Sequence, residues 1–337
     1  MTTNIPVQST NVSDLSYISK PIGDLFGELP VNPDKYTRCL LSEDQVGFYK
    51  ANGYLTQVRV LTDEQCNRIL DEYQRFLLWN NNKENSSGKN DAHLLDFPEK
   101  SLLYEYHSNQ SEDPNQVVTH MLGHWRVSPL FHDLLFMPTI TVPTSQLLAA
   151  LHPSQQTLLP VQFWHDQLFA KPAHQGGQVA WHQDYSYWTR TTPMQHLTVH
   201  IALDDQTEEN GTVHYVPGSH RWYRNRDGKE GPLPITDIDF KDMDSIKKVL
   251  TEEEIQQFQP LPSLLKKGHA SFHHPLTVHG SHPNRTSEPR RSAVLNYFAE
   301  GTRSDTDEPL LNGIPTIARG ELLNSRFFPL VFDPKWI

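Results

Sequence analysis

Apolar residues recur on two different periods along this chain, and the change falls near residue 158. Before it the spacing is helical. "LSEDQVGFYKANGYL" (41–55) places a Ser at the N-cap, acids in the first turn and a Gly stop, which predicts a short helix. "LTDEQCNRILDEYQRFLLW" (61–79) repeats the scheme behind a Thr cap, with Leu, Ile and Phe at helical spacing. "VPTSQLLAALHP" (142–153) predicts a further helical patch, and "NNNKENSSGKNDAH" (80–93) is a loop by composition. Residues 1 to about 42, polar and rich in Pro, Asn and Ser, predict an extended arm lying on a domain that runs from 43 to 337.

After residue 158 the period falls to two. "LLPVQFWHDQLFAK", "GGQVAWHQDYSYW", "LTVHIALDD", "GTVHYVPGSH", "GHASFHHPLTVHGS" and "RSAVLNYF" are short β-branched and aromatic runs separated by Gly, Pro, Asn and Asp. That rhythm predicts a mainly β barrel or sandwich with flanking helices. One insertion, about 226–262, interrupts it with the helical "MDSIKKVLTEEEIQQF" and is expected on the barrel rim; "TEEEIQQF" within it reads as a capped helix start. "DDQTEENG" (204–211) predicts a solvated hairpin loop turning at Asn210-Gly211.

Charge narrows the partners. A net charge of -11, with no basic run, argues against nucleic acid or an anionic membrane surface. No apolar run has the length of a membrane span, and "MTTNIPVQSTNVSDLS" lacks the charged and apolar regions of a secretory signal, so a cytoplasmic location is expected. Cys39 and Cys66, the only two cysteines, cannot build a disulfide framework or a thiolate zinc site within one chain. A small-molecule substrate is the expected partner, and the oligomeric state stays open.

The chemistry concentrates in "WHQD" (181–184). On a strand, alternate side chains share a face, so His182 and Asp184 project together and Gln183 points away. Facing a lumen, the two can chelate one cation, and a second His would complete the two-His, one-carboxylate set of non-haem Fe(II) oxygenases. Candidates for it are His196, His200, His214, His220, His269, His273, His274, His279 and His282. His279 stands out because it ends an apolar strand in His-Gly-Ser before a Pro-Asn turn, with His282 as its nearest rival. Eleven residues on, Arg290 opens the strand "RRSAVLNYF", where a guanidinium can hold the far carboxylate of a diacid; a one-residue slip in register would substitute Arg291.

"WHQD", "NGTVHYVPGSHRW", "GHASFHHPLTVHGSHPN" and "PRRSAVLNYF", with "SEDQVGFYKANGYL" upstream, resemble the phytanoyl-CoA dioxygenase-like family of Fe(II)/2-oxoglutarate-dependent oxygenases over about residues 42–300. The resemblance implies a double-stranded β-helix (a jelly-roll, cupin-like barrel) with His182, Asp184 and His279 on Fe(II) and Arg290 on 2-oxoglutarate. It also implies Gln167, Gln183, His200 and Ser281 near that cosubstrate. The implied reaction consumes O2, converts 2-oxoglutarate to succinate and hydroxylates a C–H bond of a small organic metabolite. Relatives that halogenate carry a small residue where this chain has Asp184. Two other readings compete: a non-catalytic metal-binding barrel, and a cupin-type dioxygenase that needs no keto acid. The aromatics Trp181, Tyr185, Tyr187 and Trp188 line a cavity or pack around it, as do Phe163, His165 and Phe272. Lys171, Arg190 and Arg126 are the cations able to meet an acidic substrate.

Overall fold

The β-branched and aromatic runs after residue 158 form antiparallel strands, as their period of two requires. In the computed structural model, which describes residues 14–337 except 31, 80–101, 108–118, 155, 175–176, 227–228 and 235–241, the strands in chain order are β1 (Tyr54–Arg59), β2 (Glu105–His107), β3 (Thr119–Leu122), β4 (Val161–Lys171), β5 (Val179–His182), β6 (Thr191–Thr192), β7 (His196–Ala202) and β8 (Val213–Tyr215). They continue as β9 (Arg224–Arg226), β10 (Lys229–Gly231), β11 (Leu261–Pro262), β12 (His269–His273), β13 (His279–Ser281), β14 (Arg290–Ala299), β15 (Arg303–Ser304) and β16 (Leu330–Phe332). The helices are α1 (Pro33–Thr37), α2 (Glu43–Asn52), α3 (Asp63–Trp79), α4 (Pro129–Leu134), α5 (Pro138–Ala150) and α6 (Glu252–Gln257). The loop expected at 80–93 lies outside the described residues.

An eight-stranded sheet runs β1-β12-β7-β14-β4-β3-β2, with β16 also beside β4, and a four-stranded sheet runs β11-β8-β13-β5. The two face each other: Tyr215 on β8 reaches Ser271 on β12 at 2.8 Å, and Lys171 on β4 reaches Ser281 on β13 at 2.7 Å. The expected mainly β architecture with flanking helices holds. The expected closed barrel does not form, because among the described residues no strand of one sheet pairs with a strand of the other. The spine is β14, paired with β4 from Arg290 opposite Lys171 to Ala299 opposite Val161, and with β7 on its other side.

The helices follow their local signals. Ser42 and Gln45 form a capping box at the start of α2, and Gly53 ends it at φ 79°, a conformation that favours glycine. Thr62 caps α3 by accepting from the Gln65 amide at 3.2 Å. The patch expected at 142–153 belongs to α5, which starts four residues earlier with Pro138 in its first turn and is buried on nearly all sides. That helix joins the outer face of the eight-stranded sheet in the main core, where Leu295, Tyr297 and Phe163 pack. Among the described residues, no helix is long and apolar enough to cross a membrane.

Three segments outside the main strands are placed by specific contacts. From residue 14 the arm is held down: Asp14 pairs with Arg126 at 2.6 Å and Arg326 at 3.0 Å, and the Asp133 carboxylate accepts from the amides of Ile22, Gly23 and Leu25. The loop at 204–211 is no hairpin, because it carries the chain from β7 in one sheet to β8 in the other; Gly211 takes φ 75° within it. The insertion splits into a 3₁₀ turn (Met243–Val249) and α6, whose start carries the expected cap as a Thr251–Glu254 capping box. Its described part does not roof a lumen. Ile246, Leu233 and Phe258 pack with Trp181, Trp222, Val216 and Val278 into a second core on the back of the four-stranded sheet.

Candidate metal centre

His182 closes β5 and His279 opens β13, and the strand register sets them opposite each other. Their rings lie 4.2 Å apart between centroids. His182 Nδ1 donates to the Ala180 carbonyl at 2.8 Å and His279 Nδ1 to the Thr277 carbonyl at 2.9 Å. A carbonyl only accepts, so each Nδ1 carries a proton and each ring turns its Nε2 forward.

Asp184 does not lie on the strand. Extended backbone ends at His182, and Asp184 opens a 3₁₀ turn, Asp184–Tyr187. The turn, rather than strand parity, brings its carboxylate beneath the two rings. Asp184 Oδ1 lies 3.5 Å from His182 Nε2 and 3.5 Å from His279 Nε2. One ligand atom from each residue falls within 4.8 Å of the others. Burial alone would raise the Asp184 pKa, but the hydrogen bonds its carboxylate accepts, among them His273 Nε2 at 2.9 Å, favour the charged form and hold it well below its ordinary range. Burial first, then the neighbouring His182, holds His279 well below the usual histidine value, so its ring is neutral. Two imidazole Nε2 atoms and one carboxylate oxygen therefore face one another, a donor set suited to a divalent transition metal. His282 is not part of it. Its ring lies 5.2 Å from His214 and 6.2 Å from Trp181.

The triad opens into a cavity with about 560 Å³ of empty space out to its mouth, whose lining includes Gln167, Phe169, His200, Ser281, Arg290 and Val294. Arg290 is 3% exposed, and its Nε and Nη1 have no hydrogen-bond partner among the described residues. Burial brings its pKa down to about 10, which leaves it charged at neutral pH. Arg291 faces the other way and is paired bidentately with Asp204 at 2.8 and 2.7 Å. Lys171, opposite Arg290 across the β4–β14 ladder, donates to Ser281 Oγ at 2.7 Å and to the His282 carbonyl at 2.5 Å. Burial first, and then Arg290, hold the Lys171 pKa well below the usual lysine value, and its amine sits behind Ser281 at the Arg290 end of the cavity. His200 joins them with its pKa brought down to about 3, by burial first and then by Arg290, so it is neutral there.

Of the expected cosubstrate residues, Gln167, His200 and Ser281 line this cavity and Gln183 does not. The Gln183 side chain donates to the carbonyls of Trp222 at 2.9 Å and Leu276 at 2.8 Å, and accepts from the Leu233 amide at 2.7 Å. It faces the insertion, as its strand parity requires. Arg190 and Arg126 are also engaged elsewhere, with the Pro309 and Leu310 carbonyls and with Asp14. The aromatics divide. Trp181 belongs to the second core, Tyr185 donates to the Thr191 carbonyl, and Trp188 packs between His165 and His196. Phe163 and Phe272 are core, and His165 is buried beside Asn296. Tyr187, 48% exposed, is the one whose ring meets the triad, edge-on to His182 at 6.0 Å.

Sequence reasoning passed over Thr198, although alternation from His200 along β7 points it into the same cavity. Gly280, in sequence only the middle of His-Gly-Ser, has a constrained place. A Cβ there would lie 2.9 Å from Trp181 Cε3 and 2.9 Å from the Val179 carbonyl. Gly280→Ala should force β5 and β13 apart, destabilising the fold by about 1–3 kcal/mol. Urea unfolding should show the loss, with a parallel loss of metal affinity; unchanged values would mean that the two strands can part without cost.

Comparison with known proteins fits this geometry. A family model described as phytanoyl-CoA dioxygenase (PhyH) matches residues 49–292. A probable alpha-ketoglutarate-dependent hypophosphite dioxygenase of Stutzerimonas stutzeri is 27% identical over 152 residues, 42% of this chain and 50% of that protein, so the match spans half of that relative. An ectoine dioxygenase of Bordetella parapertussis is 23% identical over 269 residues, 76% of this chain and 75% of that one. Among solved structures, a non-haem alpha-ketoglutarate-dependent carbocyclase from nogalamycin biosynthesis superimposes with a TM-score of 0.61 at 19% identity, covering 87% of this chain and 97% of that one.

Proposed function

Because the chain belongs to the phytanoyl-CoA dioxygenase family, we propose that His182, Asp184 and His279 hold Fe(II), that Arg290 anchors 2-oxoglutarate, and that the protein hydroxylates a small organic metabolite. The observation that carries this reading is Arg290, a buried guanidinium with two unpaired nitrogens in the same cavity as the triad. A buried charge with unmet donors is costly unless an anion completes it, and a diacid can give one carboxylate to the arginine and its other end to the metal. A non-catalytic metal site has no need of that anchor.

The remaining residues take roles that follow from their chemistry. His182 and His279 offer neutral Nε2 atoms, held in that tautomer by the Ala180 and Thr277 carbonyls. Asp184 supplies the negative charge. Lys171 fixes the Ser281 hydroxyl beside Arg290, and Ser281, His200 and Gln167 contact the cosubstrate. Phe169, Val179, Val213 and Val294 keep water from the cavity. Bound Fe(II) supplies the activation of O2 that couples decarboxylation of 2-oxoglutarate to succinate with oxidation of a C–H bond. We read the two facing sheets as the halves of a double-stranded β-helix within one oxygenase domain, on which the arm before residue 43 lies. The superposition on oxygenase structures supports that reading.

The test is anaerobic loading with Fe(II) and 2-oxoglutarate followed by O2, with succinate and CO2 quantified. Succinate formed in proportion to iron, with or without primary substrate, is the expected result. Absence of both iron binding and succinate overturns the proposal, and oxidation that proceeds without any keto acid points to the cupin-type alternative.

A further inference from the structure

Asp184 has a second oxygen, and the residues around it have a role that the ligand set alone leaves unstated. Oδ2 accepts from Thr198 Oγ1 at 2.7 Å and from His273 Nε2 at 2.9 Å. The Thr198 hydroxyl has one proton and lies equally within reach of Asn296 Oδ1, at 2.9 Å. His273 is the undivided donor, because a carboxylate only accepts and Nε2 must therefore carry the proton. Its other nitrogen, Nδ1, lies 3.1 Å from the Tyr215 hydroxyl, which in turn lies 2.8 Å from Ser271 Oγ. His273, Tyr215 and Ser271 are all buried. Protons can then be assigned along the whole chain: Ser271 donates to Tyr215, Tyr215 to His273 Nδ1, and His273 Nε2 to Asp184 Oδ2. The ring orientation and tautomer of His273 are set from behind, by Tyr215 on β8 and Ser271 on β12.

We propose that His273 is a positioning residue that occupies Asp184 Oδ2 and so holds the carboxylate as a one-oxygen ligand to the iron. The consequence is one of counting. Two imidazoles and one carboxylate oxygen leave three positions on a six-coordinate iron, enough for a chelating keto acid and O2. Were both oxygens to bind, the keto acid would fill the remaining two and O2 would have none. Because Oδ2 is committed to donors on one side, Oδ1 is the oxygen turned toward both Nε2 atoms.

The inference rests on the proposed iron site, and its test separates the two. Co(II) binding is measured by titration calorimetry on wild type, His273→Phe, His273→Gln and Tyr215→Phe. The visible charge-transfer band of the anaerobic Fe(II)–2-oxoglutarate complex, and succinate formed per product once a substrate is known, are read alongside. Loss of an outer hydrogen bond of this kind costs roughly 10- to 100-fold in metal affinity, which is the loss expected for His273→Phe, with a displaced or weakened band. His273→Gln, whose amide can donate to the same oxygen, should recover most of it. Tyr215→Phe keeps the donor and frees its ring, so its loss should be smaller than that of His273→Phe. Wild-type affinity and an unaltered band in folded His273→Phe overturn the inference while leaving the iron site standing. Should His273→Phe fail to fold, an affinity and band for His273→Gln no better than those of Thr198→Val overturn it in the same way. Wild type that binds no metal overturns the iron site itself.

Discussion

Asp184→Asn is expected to leave a folded protein that no longer binds metal. An amide can turn its oxygen toward Thr198 and His273, the two donors that now serve Oδ2. Its NH2 group then faces His182 and His279, whose Nε2 atoms now lie 3.5 Å from Oδ1. Both imidazole lone pairs, which a metal would take, become acceptors of neutral hydrogen bonds. The variant should therefore melt at or above the temperature of metal-free wild type. Its metal affinity should fall by more than the roughly 10- to 100-fold typical of losing an outer hydrogen bond, and succinate formation should fall to background. Added Co(II) should raise the Tm of wild type, by the mass action of a ligand that binds only the folded state, and leave that of Asp184→Asn where it was. A variant that keeps wild-type affinity would move the ligand set to other residues.

Arg290→Ala has effects of opposite sign on binding and on stability. Truncating one partner of a buried, hydrogen-bonded charge pair costs about 2–5 kcal/mol. Taking about 2–4 kcal/mol, the KM for 2-oxoglutarate should rise roughly 30- to 1000-fold at 1.36 kcal/mol per decade, with the smaller change in kcat at saturation. Without ligand the guanidinium is a buried charge with Nε and Nη1 unmet among the described residues and Lys171 beside it. Removing it relieves that burden, so the variant should melt higher than wild type in the absence of keto acid. Saturating 2-oxoglutarate should then reverse the order. If wild type and Arg290→Ala share one KM, Arg290 is not the anchor.

Most of this centre was legible because its parts sit where strands end and turns begin. His182, Asp184 and His279 fall at such ends, and Arg290 opens a strand, so a motif in the right order located them. What could not be read was pairing across the fold. The opposition of His279 and His182, and the burial of Arg290 while Asp204 claims Arg291, are set by registers between distant strands. His273 remained one histidine among nine candidates for the same reason, since only the β12–β7 register brings it beside Thr198. Strand parity was right for Gln183, which faces away from the cavity, and His182 and Asp184 do converge as expected, though through a 3₁₀ turn that begins at Asp184 rather than through a continued strand. The packing of the insertion was equally out of reach: the apolar residues of its described part cover the outward-facing Trp181 and Trp222, a match made between distant segments that burial of apolar surface favours.

The pairing of β5 with β13 also sets when, during the life of the chain, iron can be captured. About a hundred residues separate His182 from His279, and contacts between such distant segments form late, since loop closure must precede the reward of pairing. Of the three proposed ligands, a nascent or unfolded chain keeps only His182 and Asp184 close together, a weak two-point grip. Metal capture at the proposed site would thereby be deferred until the sheets have met, so that the centre assembles only inside the cavity that is to contain it.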